Sequence, residues 1–356
     1  MNEQDFLFLK RLVEAPSPSG FEQPAQRVLR AELESVADSL RTDLVGNLIA
    51  EIKGEGSSPL RLMLAGHCDE IGFMIHYIDE KGFLFFMPIG GVDAHLVPGQ
   101  RVRIHGAGGP VPGVVGKKPI HQMDPKDRET VVKIKEQFID IGCGSREEAM
   151  ELVQLGDPVT FAAGLERLAG ERIASRALDD KVGAFIVARV LRNLKERGGC
   201  ALHVFGVSTV QEEVGLRGGI TSSYGIRPDV GIAVEVGFAT DFPGMNPKEM
   251  GEFVLGGGPI LVRGSNINPA LFELLTATAK DLGIPVQILA TPGATGTDAN
   301  PMQLCRGGAA AALVKVPLRY MHTPVETLDL RDVEAAVALL TEVLYRIESR
   351  ESLIPV

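Results

Sequence analysis

Residues 177–215 have the sequence ALDDKVGAFIVARVLRNLKERGGCALHVFGVSTVQEEVG. From Asp180 to Arg197 apolar residues recur at helical spacing, which predicts a helix with one buried face. The apolar run that follows, ALHVFGVST, predicts a buried strand, and two adjacent carboxylates, Glu212 and Glu213, come soon after it. A helix followed by a buried strand is the repeating unit of parallel sheets, so this stretch indicates an α/β fold.

The same alternation continues on both sides of this stretch. Helices are predicted at 3–14 and 25–36, and the strands NLIAEIKG and RLMLAGH come next. Toward the C-terminus, the strands DVGIAVEVG, VQILA and AAALVKV alternate with a helix at NPALFELLTATAKDLG and another from Leu330 to Ser349. We predict a mostly parallel mixed sheet, covered by helices on both faces and formed by the two ends of the chain.

The segment between these two parts of the chain has a different pattern. From about Gly72 to Phe161, Gly and Pro are frequent and short Val- and Ile-rich runs alternate with turns, which predicts a small β-barrel or sandwich. One short helix is expected after Ser145, because Ser145 and Glu148 have the spacing of a capping box. We therefore predict a discontinuous α/β domain at 1–69 and 163–356, with an inserted β-rich domain at 70–162.

Composition and charge exclude some classes of partner. The chain of 356 residues has a formal net charge of -10 and no run of Lys and Arg, so we expect no nucleic-acid partner and no membrane partner. The four cysteines form no CxxC pair, and the first residues lack the basic and apolar segments of a signal peptide. We expect a cytoplasmic protein that acts on small molecules, peptides or copies of itself.

Polar residues just beyond predicted strands are candidates for a site, because ligands bind beyond the carboxyl ends of strands in α/β sheets. Two histidines and six carboxylates occupy such strand ends or precede a helix: His67, Asp69, Asp179, Asp180, Glu212, Glu213, Glu235 and His322. Each alone has an ordinary explanation, since an Asp before a helix is usually an N-cap. Together, so many negative charges would repel one another without a cation. The set indicates a metal site, and imidazole with carboxylate suits Zn, Co or Mn.

The spacing of these residues in the sequence indicates which chemical roles they can take. Residues two apart on an extended chain point the same way, so Asp69 can orient the ring of His67 without binding a metal itself. Adjacent residues point in opposite directions, so Glu212 and Glu213 are not expected to share one task. One can bind a metal while the other accepts a proton from the attacking water.

The motifs AGHCDEIG, ALDDKVG, QEEVGLRG, AVEVG and YMHTPVE resemble, in order and spacing, those of the glutamyl-aminopeptidase family of dinuclear metallo-aminopeptidases. PIGGVD and FIDIG in the inserted region resemble the family as well. The resemblance implies two divalent metal ions per subunit, with zinc expected and cobalt or manganese as alternatives. The metal ligands that it implies are His67, Asp179, Glu213, Glu235 and His322. It makes Asp179 the bridging ligand, Glu212 the general base and Asp69 the residue that orients His67, with a cis peptide bond between Asp179 and Asp180.

The resemblance also implies a substrate and an assembly. The expected reaction removes the N-terminal residue of short peptides, and GATGTDANP at 293–301 is expected to line the substrate pocket. The insert at 70–162 is expected to form a homodimer, and dimers to form a tetrahedral homododecamer, with a lid on a monomer or a simple dimer as the alternative. Glu235 departs from the family pattern, where Asp is common, and its longer side chain is expected to alter the substrate end of the site.

Two other functions compete with peptide hydrolysis. Some relatives are described as endoglucanases, so one alternative is a glycosidase, which needs two carboxylates on either side of the sugar bond and leaves the histidines without a role. The second is a catalytically silent, oligomeric metal-binding protein. Chelation distinguishes the first from a metallopeptidase, and bound metal without hydrolysis of any peptide would indicate the second.

Overall fold

The computed structural model describes residues 1–55 and 59–355, without the side chain of Asp127. Its largest element is an eight-stranded mixed sheet. The strands of this sheet are β1 (Ser39–Thr42), β2 (Leu48–Ile52), β3 (Arg61–His67), β12 (His203–Thr209), β13 (Val230–Phe238), β14 (Ile260–Gly264), β15 (Gln287–Thr291) and β16 (Ala310–Leu318). They lie in the order β1-β2-β12-β3-β13-β16-β14-β15. The central strands β12, β3, β13 and β16 are parallel to one another, so their carboxyl ends meet at one edge.

Helices cover both faces of this sheet, as the sequence predicts. They are α1 (Glu3–Glu14), α2 (Gln23–Leu33), α4 (Leu178–Glu196), α5 (Arg217–Ile226), α7 (Pro269–Leu282), α8 (Ala299–Leu304) and α9 (Leu330–Arg346). Gly66 of β3 faces α4 so closely that a Cβ there would lie 2.4 Å from the backbone of Gly183. Met63, on the opposite face of β3, contacts Ser223 of α5. The close approach of β3 to α4 brings the start of α4 beside the end of β3.

The middle of the chain forms a closed six-stranded barrel, which confirms the expected small β-barrel. Its strands are β4 (Gly72–Ile78), β5 (Leu84–Ile89), β6 (Arg101–Gly106), β7 (Gly109–Gly116), β8 (Phe138–Asp140) and β9 (Pro158–Phe161). The ring of Phe73 meets Phe86 and Phe161 edge to face in the barrel core. Helix α3 (Arg146–Leu152) begins at Ser145, whose hydroxyl accepts a hydrogen bond from the amide of Glu148, as the capping box predicts. The domain boundaries at 69/70 and 162/163 stay a prediction.

A small three-stranded sheet completes the fold beside the start of α4. It contains β10 (Glu166–Arg167), β11 (Arg172–Ser175) and β17 (Glu326–Asp329), and a further short helix is α6 (Pro247–Met250). Because β11 leads into α4 and β17 follows His322, this sheet places two loops of the site side by side. Within 1–55 and 59–355, every helix is too short or too polar to cross a membrane.

Several local details differ from the sequence-based expectations, and three of them concern helices near the site or at the end of the chain. Helix α5 has no counterpart among the predicted helices, because RGGITSSYGI carries three glycines and little apolar periodicity. Helix α4 begins at Leu178, but Asp179 and Asp180 have non-helical backbone angles. The last helix ends at Arg346, before the expected Ser349.

Candidate metal centre

Five separate segments deliver the predicted site residues to one edge of the large sheet. His67 is the last residue of β3, Glu235 lies near the end of β13, and Asp179 lies in the first turn of α4. Glu212 and Glu213 follow β12, and His322 follows β16. These residues line one cavity of about 400 Å³. The parallel order of the central strands explains why residues so far apart in sequence converge.

Asp179 lies between the two histidines. Its Oδ1 is 3.3 Å from Nε2 of His67, and its Oδ2 is 3.4 Å from Nε2 of His322. Nε2 of His67 also lies 3.7 Å from Oε2 of Glu235, and Nε2 of His322 lies 3.3 Å from Oε1 of Glu213. The arrangement therefore offers two groups of nitrogen and oxygen ligands that share one carboxylate.

Glu212 lies in the same cavity, 3.8 Å from Nε2 of His67 through its Oε2. The ligand atoms of His67, Glu212 and Glu235 lie within 4.8 Å of one another, as do those of His67, Asp179 and Glu213. The expectation that Glu212 and Glu213 point in opposite directions assumed an extended chain. The backbone instead turns here, with Gln211 in the left-handed region at φ 56°, so that both side chains enter the cavity.

Asp69 connects the His67 ring to the loop that carries the two glutamates. Nδ1 of His67 is 3.1 Å from the backbone oxygen of Asp69 and 3.4 Å from its Oδ1. The Asp69 carboxylate accepts hydrogen bonds from the amides of Glu212 and Glu213, at 3.0 and 3.1 Å, and from the hydroxyl of Ser19 at 2.7 Å. Asp69 is therefore placed to orient His67 and to fix the backbone at Glu212 and Glu213 together.

A second buried carboxylate, Glu326, holds the opposite side of the site. Its two oxygens accept hydrogen bonds from the amides of Asp179 and His322, at 3.0 and 2.9 Å. Nδ1 of His322 lies 2.9 Å from the backbone oxygen of Gly91, in the inserted region. The peptide bond between Asp179 and Asp180 is cis, as the resemblance implies, and an oxygen of Asp180 accepts a hydrogen bond from the amide of His67.

Comparison with known proteins shows which family the chain belongs to. A model of the M42 glutamyl aminopeptidase family matches residues 46–339. The chain belongs to the M42 family. It is 39% identical over 345 residues to the lysyl aminopeptidase of Pyrococcus furiosus, and this match covers 96% of each chain.

Solved structures of TET peptidases share the fold over nearly the whole chain. A TET aminopeptidase from a marine sediment archaeon of the Thaumarchaeota superposes with a TM-score of 0.93 at 34% identity, covering 99% of this chain and 98% of that chain. The TET1 peptidase of Pyrococcus horikoshii, described as assembling into a tetrahedron or a large octahedral shell, gives 0.86 at 31% identity and covers 96% and 100%. This M42 member is a peptide hydrolase of the aminopeptidase type.

The pKa values of the M42 site show that a bound cation would replace protons. Burial raises the pKa of Glu212 to about 9 and that of Glu235 to about 8. Hydrogen bonds to Asp179 and Glu213 raise the pKa of His322 to about 11. Although burial opposes it, the charge of Glu212 and the contact with Asp179 raise the pKa of His67 well above its usual value. Without a metal, protons balance the negative charge of the site.

The donor set fits a divalent cation. Oε1 of Glu235 is buried and has no hydrogen-bond partner among the residues that the structure describes. An unpartnered carboxylate oxygen beside an imidazole nitrogen is costly unless it binds a proton or a cation. Imidazole and carboxylate together suit zinc, cobalt or manganese.

Two positioning residues of the M42 site are absent from the sequence-based set. Ser19 lies in the turn PSPSG and Glu326 ends the motif HTPVE. The signal that could have found Glu326 is its place in a motif that already contains His322. The segment GATGTDANP contributes Thr295, Gly296 and Thr297 to the cavity wall, in agreement with the expectation that it lines the substrate pocket.

Proposed function

We propose that this M42 chain removes the N-terminal residue of short peptides with two divalent cations per subunit. The observation that carries the proposal is Asp179, whose two oxygens face two different imidazoles at 3.3 and 3.4 Å. His67 and Glu235 would complete one cation site, and Glu213 and His322 the other. Asp179 would belong to both sites, with zinc as the expected ion and cobalt or manganese as alternatives.

Glu212 is proposed as the general base. Its side chain lines the cavity, and the Asp69 carboxylate holds its backbone amide. Glu212 would take a proton from the attacking water and pass it to the leaving amine. The bound cations would polarise the scissile carbonyl and make that water more acidic. Asp69 acts as a positioning residue for His67 and for the Glu212 backbone.

The carboxylates also explain why such a site would act on chain ends. A free α-amine is a cation at neutral pH, and Glu213 and Glu235 line the cavity and would supply negative charge to it. An internal peptide bond offers no such amine, so an internal site would lose this interaction. The proposed activity is therefore removal of N-terminal residues.

We propose a matching division of the chain. Residues 1–69 and 163–356 would form the catalytic domain, and residues 70–162 would form a dimerisation domain from which a tetrahedral homododecamer is built. The closed barrel and the tetrahedral assembly described for the similar TET1 peptidase of Pyrococcus horikoshii support this proposal. Enclosure of the sites in such a shell would restrict substrates to short peptides.

The glycosidase alternative is disfavoured by the geometry. Glu212 and Glu213 converge with His67 and His322, whereas a carboxylate-only glycosidase has no role for the imidazoles. Treatment with EDTA separates the two functions, because a glycosidase of that type keeps its activity. Bound metal with no hydrolysis of any peptide would support the silent metal-binding alternative.

Two substitutions separate catalysis from metal binding. We expect Glu212→Gln to lower kcat about 100- to 10,000-fold while the metal content stays near that of the wild type. His322→Ala should lose metal, because it removes a proposed ligand. Leucyl-p-nitroanilide hydrolysis and elemental analysis measure the two effects. The exposed substitution Glu348→Gln is the control for a change of Glu to Gln, and full activity in Glu212→Gln would contradict the assignment.

A further inference from the structure

A lysine side chain, that of Lys315, lies in the wall of the metal-centre cavity. Lys315 is on β16, in register with Glu235 on the neighbouring parallel strand β13. Residues in register on adjacent parallel strands point to the same face, about 4.8 Å apart. Gly237 leaves room for the lysine stem, since a Cβ there would lie 3.2 Å from Cβ and Cδ of Lys315. Lys315 therefore lies next to the carboxylate proposed for the substrate end of the site.

The ammonium group of Lys315 is available to a ligand. Its Nζ donates one hydrogen bond, to the backbone oxygen of Val236 at 2.9 Å. An ammonium group has three donors. Within residues 1–55 and 59–355, no carboxylate oxygen lies within 4.0 Å of this nitrogen, so Lys315 does not form a direct ion pair with Glu235. Among the residues that the structure describes, Val236 is the one acceptor for this ammonium group, which leaves donors for a ligand.

Lys315 also lies where two cavities meet. The metal-centre cavity and a neighbouring cavity of about 520 Å³ share Lys315 and Phe238 in their walls. The neighbouring cavity continues along apolar side chains, among them Phe253, Ile260 and Leu289. A substrate with its α-amine at the carboxylates would direct a side chain from its first residue toward this junction.

We propose that Lys315 determines specificity by binding the side-chain carboxylate of an N-terminal Asp or Glu. This inference rests on the proposed aminopeptidase function. A short acidic side chain would place its oxygens at the free donors of Lys315, while the α-amine stays at the carboxylates. A Lys or Arg side chain would bring a second cation to Lys315 and be repelled. The expected selectivity is the opposite of the one that the name of the lysyl aminopeptidase of Pyrococcus furiosus describes for that protein.

The test compares aminoacyl-p-nitroanilides of Glu, Asp, Leu and Lys with the metal-loaded enzyme. These substrates lack a C-terminal carboxylate, so a preference among them reports on the side chain of the first residue. We expect the wild type to favour Glu and Asp. Lys315→Met should lower kcat/KM for the acidic substrates about 10- to 100-fold and change the Leu substrate less than about threefold. Lys315→Arg should keep most of the acidic preference, and Lys315→Glu should favour the Lys substrate.

Three controls keep the result interpretable. Metal content must match in all variants, and exposed Lys280→Met controls for the loss of one positive charge. Calorimetric binding of free L-glutamate and L-leucine gives a readout that is independent of turnover, and Lys315→Met should weaken only L-glutamate binding.

A wild-type preference for Lys, or an equal loss for all substrates in Lys315→Met, would overturn the inference. A slower reaction with dipeptides alone would overturn it too, since it would assign Lys315 to the C-terminal carboxylate. Failure to cleave any of the substrates would instead overturn the proposed function.

Discussion

Asp69 shows what residue spacing can and cannot predict. The spacing of two residues from His67 predicts their contact, because it depends only on local geometry. The hydrogen bonds from the amides of Glu212 and Glu213 to Asp69 depend on the parallel packing of β3 and β12. The local sequence around each residue therefore does not predict them. Sequence reasoning therefore selected charged residues that the fold brings into one cavity, but neither the backbone contacts that hold them nor Ser19 and Glu326.

The raised pKa values of the site predict how the stability of the metal-free protein depends on pH. Burial holds the pKa of Glu212 at about 9 and that of Glu235 at about 8, whereas an unfolded Glu has a pKa of about 4.3. Between these values the folded chain binds more protons than the unfolded chain. The stabilisation is thus fully present at low pH and is lost as pH rises toward 9. We expect the Tm of the chelated protein to fall from about pH 5 to 9.

Saturating zinc supplies the control for this experiment. A bound cation replaces the protons, so its stabilisation should be largest at the alkaline end of the series. Thermal unfolding with and without zinc at each pH measures both effects. A Tm of the chelated protein that rises with pH across this range would contradict the assignment of protonated carboxyl groups.

At the scale of secondary-structure elements, buried charges join the start of α4 to the residue Glu70 after β3 and to the C-terminal end of α1. Nζ of Lys181 lies 2.9 Å from Oε1 of Glu70 and donates to the backbone oxygen of Val13. Arg176 pairs with the other oxygen of Glu70 and donates to the backbone oxygen of Glu14. Lys181 and Glu70 are both buried, and this cluster fixes the start of α4 beside the end of β3.

Removing one charge from this cluster should be costly. We expect Lys181→Met to lower the free energy of unfolding by about 3 kcal/mol, because Glu70 stays buried with Arg176 as its one charged partner among the described residues. Urea denaturation measures the loss. The matched change at the exposed Lys280 should stay within about 0.5 kcal/mol. A loss below about 1 kcal/mol in Lys181→Met would show that the cluster does not hold these elements together.

The elements themselves were predictable where their apolar pattern is regular. The strands β3, β12, β13 and β16 stand out because both of their faces are buried, which gives long apolar runs. Helix α5 could not be found in this way, since Gly218 and Gly219 lie against Asn47 and Asp298 and are required by close packing. The turn at Gln211, which sends Glu212 and Glu213 into one cavity, is likewise a consequence of tertiary contacts.

At the scale of the whole molecule, the proposed assembly predicts a mass. Size-exclusion chromatography with light scattering should give a particle of about twelve chains for the tetrahedral homododecamer. A mass of one or two chains would exclude the dodecamer and leave the lid alternative for the barrel. The sequence indicates a β-rich insert through its Gly- and Pro-rich pattern, but barrel closure depends on the pairing of β6 with β9, which are distant in sequence.

The pairing of β4 with β9 has a consequence for the order of folding. These are the first and last strands of the barrel, and they lie side by side, with Phe73 opposite Val159. Once the barrel has formed, the chain segments on either side of it start from neighbouring points, so the loop to be closed between β3 and β12 becomes effectively shorter. The entropy lost in bringing those two strands together is then smaller. Formation of the barrel should therefore favour pairing of β3 with β12, the two strands that bring His67 and Glu212 together.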